Sequence, residues 1–401
     1  MTTSHSQTGL ERLHAALAAR VERCELPGLV TLIAQDDNNN EVVVHVDAIG
    51  QTAFDDGQPM RRETLFRIAS LTKPILAAVT LMLMEDGALA LDDPIERWLP
   101  ELAHRRVLRR IDGPLEDTVP AARPITVDDL LTQRMGFGML FEPTFNPPFP
   151  IIQAADALEL ALSQPDPRTP HDPDEWIRRF ATLPLMAQPG ERWLYNVASL
   201  VHGVLLGRVA DQPLGDLLAR RLFEPLGMHE TGFWLPLEIT RRLPSYYTTN
   251  NQTGQLERRP VSTPEEWSRP PVFPSGAGGL VSTVDDFLRF ARLLLDKGVS
   301  DGRRLLSERS VEQMTTNHLT PEQMAGGGPV LGGGGWGFDV AVPTAPNADW
   351  PVPGRYGWAG GYGTIWFNDP HRRIVAIAMT QVSDFLWNGG AQEFERLVAA
   401  L

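Results

Sequence analysis

The extended apolar stretches of this chain fall at its two ends, and that separation constrains the fold more than any other feature. Near the start, residues 29–34 (LVTLIA) and 42–49 (VVVHVDAI) are rich in β-branched side chains. The run Asp36-Asp37-Asn38-Asn39-Asn40 between them is turn-forming, so the pair reads as a hairpin. Strand-like runs return only at residues 335–342, 363–367 and 374–380. The intervening text carries helical spacing instead. Ile75, Ala78, Val79, Met82 and Leu83 mark one face of a helix that should end near Gly87, and residues 126–133, 199–210, 214–222 and 284–295 predict further helices. Leu10, Leu13, Leu17 and Val21 mark an amphipathic first helix, and residues 391–400 a last one. Strands need partners, so both ends must share one sheet, with the middle as an inserted, mainly helical region. The expected division is residues 1–68 with 270–401 as the sheet part and 69–269 as the helical part.

Within the middle, residues 139–184 are rich in proline and aromatic side chains, as in Phe145-Asn146-Pro147-Pro148-Phe149-Pro150. This reads as a long, lid-like surface excursion with short helices around residues 154–162 and 174–181.

Composition removes several function classes. The net charge of −14 disfavours nucleic acid and anionic membranes as partners. Cys24 is the only cysteine, which excludes an intramolecular disulfide, and it reads as a passive thiol. There is no His-Glu-x-x-His and no cysteine pair, so neither metal nor cofactor is expected; the acidic 36–40 loop lacks the glycine and distal glutamate of a Ca²⁺ loop. Gly332-x-Gly334-x-x-Gly337 leads into a strand-like run rather than a helix, against a dinucleotide site. No serine lies in Gly-x-Ser-x-Gly, and the histidines are scattered. The amino terminus has no basic segment followed by an apolar one, and no stretch approaches the ~20 apolar residues of a membrane span, so the cytoplasm is the expected location.

The chemistry is concentrated in Ser70-Leu71-Thr72-Lys73-Pro74. Lys73 is one of two lysines, the other being Lys297, and this is the sole Ser-x-x-Lys. A desolvated lysine can release its proton, whereas arginine cannot. Positions i and i+3 share a helix face, which places the amine beside the hydroxyl. Pro74 is tolerated only in a first turn, which puts Ser70 at a helix start. On this tetrad alone, a serine cap with a solvated lysine is an equally good reading.

The stretch Phe66-Arg67-Ile68-Ala69-Ser70-Leu71-Thr72-Lys73, followed by Leu91-Asp92-Asp93-Pro94, resembles the serine β-lactamase-like hydrolases: class C β-lactamases, D-Ala-D-Ala peptidases and family VIII carboxylesterases. Residues 125–136 (ITVDDLLTQRMG), Gln188-Pro189-Gly190 with Tyr195-Asn196, 276–286 (GAGGLVSTVDD) and 357–364 (GWAGGYGT) match in the family's order. The resemblance implies an α/β (α+β) fold with an antiparallel sheet flanked by helices. It also implies Ser70 as nucleophile, Lys73 as its proton partner, Tyr195 as catalytic tyrosine, and an oxyanion hole from the backbone N–H groups of Ser70 and Gly361. Two departures stand out. The family's Tyr-x-Asn is here Tyr195-Asn196-Val197, and its Lys-Thr-Gly is Trp358-Ala359-Gly360. These five residues, Asn196, Val197, Trp358, Ala359 and Gly360, are the substrate-binding candidates, with Trp358 as an apolar wall. Loss of the carboxylate-anchoring cation points to neutral, short-chain esters. A weak β-lactamase, an amide or oligomer hydrolase, an acyltransferase, and a non-catalytic ligand sensor or structural relative remain open, as does oligomeric state.

Overall fold

Residues 28–34 are buried at every successive position, the signature of a strand covered on both faces. The computed structural model describes residues 3–37, 41–139, 148–162, 170–250, 252–259, 263–344 and 354–401. In it, strand Gly28–Asp36 lies inside a seven-stranded antiparallel sheet. The spatial order is Gly335–Trp336, Ala341–Val342, Tyr356–Gly360, Thr364–Asp369, Ile374–Met379, Gly28–Asp36 and Val42–Gly50. The carboxy-terminal meander thus meets the amino-terminal hairpin through pairs such as Leu32 with Ile377. Both chain ends build one sheet, and the residues between them are mainly helical. Of the turn expected at residues 36–40, residues 38–40 lie outside the described residues. Residues 335–342 form two short paired strands rather than one, and Tyr356–Gly360 is a strand that periodicity did not mark.

Alternation divides the sheet's side chains between two layers. Leu29, Ile33, Phe367 and Ala376 pack with Leu13 and Leu17 of helix Thr3–Glu22 and Phe394 and Val398 of helix Gly390–Ala399. Val30, Leu32, Trp366 and Ile377 face the opposite way and join a core that runs without a break into the helical region. Helix Val284–Leu295, capped by the Thr283 hydroxyl on the Asp286 amide, seats Phe287 and Phe290 against Trp366. Asp36 clamps this layer to the sheet by accepting from Arg292 Nη1 at 2.5 Å and Arg373 Nε at 2.7 Å.

Helix Thr72–Glu85 is buried from Thr72 to Leu83 on all sides, not along one face as its spacing predicts. It is the axle of the helical region, with helix Val197–Ala210 beside it. The lid-like excursion also departs from expectation. Its described parts include helices Pro150–Ala157 and Pro173–Ala181, and Ile151, Trp176, Ile177 and Phe180 are wholly buried. Proline there starts the helices at their first turn. Residues 140–147 and 163–169 of this stretch lie outside the described residues.

Candidate active site

Ser70 sits in a single 3₁₀ turn, Ala69–Leu71, that leads directly into helix Thr72–Glu85. Ala69 adopts a φ of +45°, a left-handed conformation unfavourable for a residue with a Cβ. The surroundings enforce it. Upstream, Phe66–Arg67 pairs with Val281–Ser282, and the Ile68 amide donates to the Leu280 carbonyl at 3.0 Å. The Ile68 carbonyl accepts from the Thr364 hydroxyl at 3.2 Å. A Cβ on Gly360 would fall 2.2 Å from that same carbonyl oxygen, so only glycine lets the strand end lie on the serine turn.

The Lys73 amine is buried and, among the described residues, has three hydrogen-bonding neighbours: Ser70 Oγ at 3.0 Å, Asn196 Oδ1 at 2.9 Å and the Ala277 carbonyl at 2.5 Å. The two carbonyl oxygens can only accept, so they take two N–H groups. A neutral amine then has one lone pair left, and the remaining neighbour is the one that can donate, the Ser70 hydroxyl. Burial pulls the amine below its ordinary value, an effect that an ionised Asp339 carboxyl would oppose. The arrangement can therefore accept the Ser70 proton.

The Tyr195 hydroxyl is hydrogen-bonded to Ser70, and the Lys73 amine lies over the tyrosine ring, 4.7 Å from its centroid. Trp358 Nε1 donates to the Tyr195 oxygen at 2.7 Å. Trp358 is thus more than the apolar wall expected: its indole N–H occupies the tyrosine. Trp193 stacks on the Tyr195 ring at 5.4 Å, while Trp336 and Trp358 meet it edge-on. Burial in this box raises the phenol well above its ordinary value, outweighing the hydrogen bonds to Ser70 and Trp358. Tyr195 is accordingly a phenol able to donate.

Asn196, a candidate substrate ligand, is engaged by the protein itself. At φ +82°, ψ −51°, with the Val197 amide donating to the Tyr195 carbonyl at 3.2 Å, it is the centre of a γ-turn of the rare, strained kind. The turn aims its amide inward, where Oδ1 accepts from Lys73 and Nδ2 donates to the Leu162 carbonyl at 2.6 Å. Both side-chain atoms are occupied within the protein, although Asn196 also borders the cavity. Two other candidates are not on the cavity wall. Val197 is buried as the first residue of its helix, and Gly360 is tucked against Ile68. Sequence reasoning missed Gln133, whose Oε1 accepts from the Asn196 backbone N–H at 2.9 Å, and the Ala277 carbonyl. The signal available was only that both lie inside matched motifs.

A cavity of about 540 Å³ opens at Ser70, bordered by Tyr195, Trp358, Ala359 and Gly361. A Cβ on Gly361 would meet nothing within 4 Å, consistent with a position facing open space. Among the described residues the wall has no lysine, arginine or histidine, and Glu395 is its one carboxylate. No group of three or more histidine, cysteine, aspartate or glutamate side chains among the described residues could hold a metal ion. Nor is any described helix long and apolar enough to cross a membrane.

Comparison with known proteins identifies the family. The profile of the Beta-lactamase family matches residues 13–400. The Mycobacterium tuberculosis protein Rv1367c is 40% identical over 89% of this chain and 86% of its own. Esterase EstB of Burkholderia gladioli is 29% identical over 93% of this chain and 90% of its own. Among solved structures, EstCE1, described as a hydrolase with promiscuous acyltransferase activity, superposes with a TM-score of 0.79 at 25% identity, covering 98% of each chain.

Proposed function

This chain belongs to the Beta-lactamase family and is a serine hydrolase, and from that premise we propose that it is a carboxylesterase of neutral, short-chain esters acting through an acyl-enzyme on Ser70. The observation that carries the substrate reading is the cavity wall, which among the described residues offers no cation to a substrate carboxylate. Where the family's lysine stands, Trp358 instead spends its N–H on Tyr195.

In the proposed step, Ser70 Oγ adds to the ester carbonyl carbon while its proton passes to Lys73 Nζ. The oxyanion develops toward the backbone N–H groups of Ser70 and Gly361. The departing alkoxide takes the Tyr195 proton, which the Lys73 ammonium replaces, and water then releases the acid by the reverse path. The ester is the expected partner, the cytoplasm the expected location, and no cofactor is required.

Purified protein should hydrolyse p-nitrophenyl acetate and butyrate, and Ser70→Ala should abolish turnover and any fluorophosphonate adduct in the intact mass. Undiminished hydrolysis by that variant would refute the mechanism. A second reading, acyl transfer to an alcohol, is favoured by the activity ascribed to EstCE1. It requires ester-exchange product to appear when a primary alcohol is added. Cephalosporin and amide substrates test the β-lactamase and amidase alternatives in the same panel.

A further inference from the structure

Behind Lys73 lies a second ionisable group that the proposed step does not use. Asp339 is fully buried and stands at a φ of +56° in the bend between the two short strands. Its Oδ1 accepts from Gln133 Nε2 at 2.7 Å. Gln133 also donates to Ser199 Oγ at 2.7 Å and accepts from the backbone N–H of Asn196, the residue whose side chain holds Lys73. Asp339 is therefore joined to the lysine through Gln133 and Asn196, yet is not among the hydrogen-bond partners of the amine.

The other carboxyl oxygen faces a histidine whose tautomer is dictated by its neighbours. Thr80 Oγ1 lies 2.8 Å from the Leu76 carbonyl, which can only accept, so the threonine's single proton is committed there. His202 Nε2, at 2.6 Å from Thr80 Oγ1, must then be the donor. In the neutral ring Nδ1 is left as a bare acceptor, and it points at Asp339 Oδ2 across 3.8 Å. Neither atom has a hydrogen-bond partner, and both side chains are wholly buried. Two acceptors facing one another at 3.8 Å in a buried site repel, and a proton on one of them removes that repulsion.

We propose that the proton resides on Asp339 Oδ2, and that this neutral acid is a positioning device that spares Lys73 a counter-charge and so keeps its amine free to accept the Ser70 proton. The reading rests on the proposed role of Lys73. The groups facing Asp339 are Lys73 from helix Thr72–Glu85, His202 from helix Val197–Ala210, and Tyr195. Burial pushes the acid upward, against the Gln133 hydrogen bond and the lysine charge, and lowers the imidazole to about 3. The carboxyl proton thus faces the ring lone pair across the 3.8 Å gap, and burial outweighs the lysine charge that would displace it.

Infrared difference spectroscopy between the substrate-free protein and Asp339→Asn at neutral pH should isolate the carbonyl stretch of one protonated carboxylic acid. Only a carboxylate band would overturn the proposal. Carbon NMR of otherwise unaltered protein carrying labelled aspartate reads the same state without any variant. One side-chain carboxyl should keep its protonated shift at neutral pH, and a full set of carboxylate shifts would refute it. In catalysis, Asp339→Ala should lower kcat about tenfold or more with little change in KM, by releasing Gln133 and Asn196. Asp339→Asn, isosteric with the neutral acid, should recover most of that loss. If Asp339 served as an ionised counter-charge, the asparagine variant would be as impaired as the alanine one and its acidic limb of kcat/KM would move to lower pH. The spectroscopic results need no substrate, so they fail separately from the Ser70 adduct test.

Discussion

Replacing Trp358 by phenylalanine isolates the hydrogen bond that its indole N–H donates to Tyr195. The substitution keeps a ring that can meet Trp336 and Tyr195 edge-on, now at 4.5 and 5.4 Å between centroids, and deletes the N–H that reaches the tyrosine oxygen at 2.7 Å. Both residues are at least nine-tenths buried, so water does not readily replace the donor. Losing a buried neutral hydrogen bond and leaving its acceptor short costs about 1–3 kcal/mol. If that loss falls wholly on the transition state, where Tyr195 must hold its line to the leaving oxygen, kcat drops about 5- to 150-fold at ~1.4 kcal/mol per decade. The smaller ring also leaves a void, and a stability loss of about 1–2 kcal/mol accompanies it. The two effects separate when kcat on p-nitrophenyl butyrate is expressed per site titrated with fluorophosphonate and stability is read from the urea midpoint. A folded, fully titratable variant with kcat within about twofold of the parent would refute the reasoning, because the bond would then contribute equally before and during reaction.

Gly360→Ala should separate the strand end from the serine turn, since the new Cβ would fall 2.2 Å from the Ile68 oxygen and 2.3 Å from Thr364 Oγ1. A displacement of that kind should cost about 100-fold in kcat/KM, against a much smaller change for Gly361→Ala, whose Cβ would enter open space. Asp36→Asn should destabilise the fold by about 1.5–3 kcal/mol in urea denaturation at neutral pH, the scale of charge-assisted bonds. Burial alone would raise the Asp36 acid, but hydrogen bonds from Arg373 and Arg292 outweigh it and hold it below its ordinary value. Its contribution is therefore complete above the unfolded carboxylate pKa and is lost as pH falls through the lower folded value. The stability difference between parent and variant should shrink over that acidic window, and a pH-independent difference would contradict the assignment.

The amino-acid sequence by itself determined the features that rest on local rules. Apolar periodicity placed helix Val284–Leu295 at the bounds observed, and Pro74 with the three-residue spacing put the Lys73 amine against Ser70. The split of strand-like runs between the ends implied the shared sheet, because unpaired strands are not stable. Elements whose stability is borrowed from elsewhere were illegible. Strand Tyr356–Gly360, interrupted by Gly357 and Gly360, has poor intrinsic preference and exists through its pairing with Thr364–Asp369. The burial of the proline-rich stretch depended on Trp176 and Phe180 finding the helical core.

At the site the division has the same origin. Ser70, Lys73 and Tyr195 could be named from motifs, but their partners are set by backbone conformations that spacing does not encode. Asn196 belongs to Lys73 because a γ-turn rotates its amide inward, and Trp358 belongs to Tyr195 because its strand ends beside the serine turn. Asp339 and His202, remote in sequence, become one buried pair only when the sheet closes over the helices. Sequence specified which groups are chemically able to act. Only tertiary packing decided which are desolvated and what each faces, and those two conditions set where protons reside.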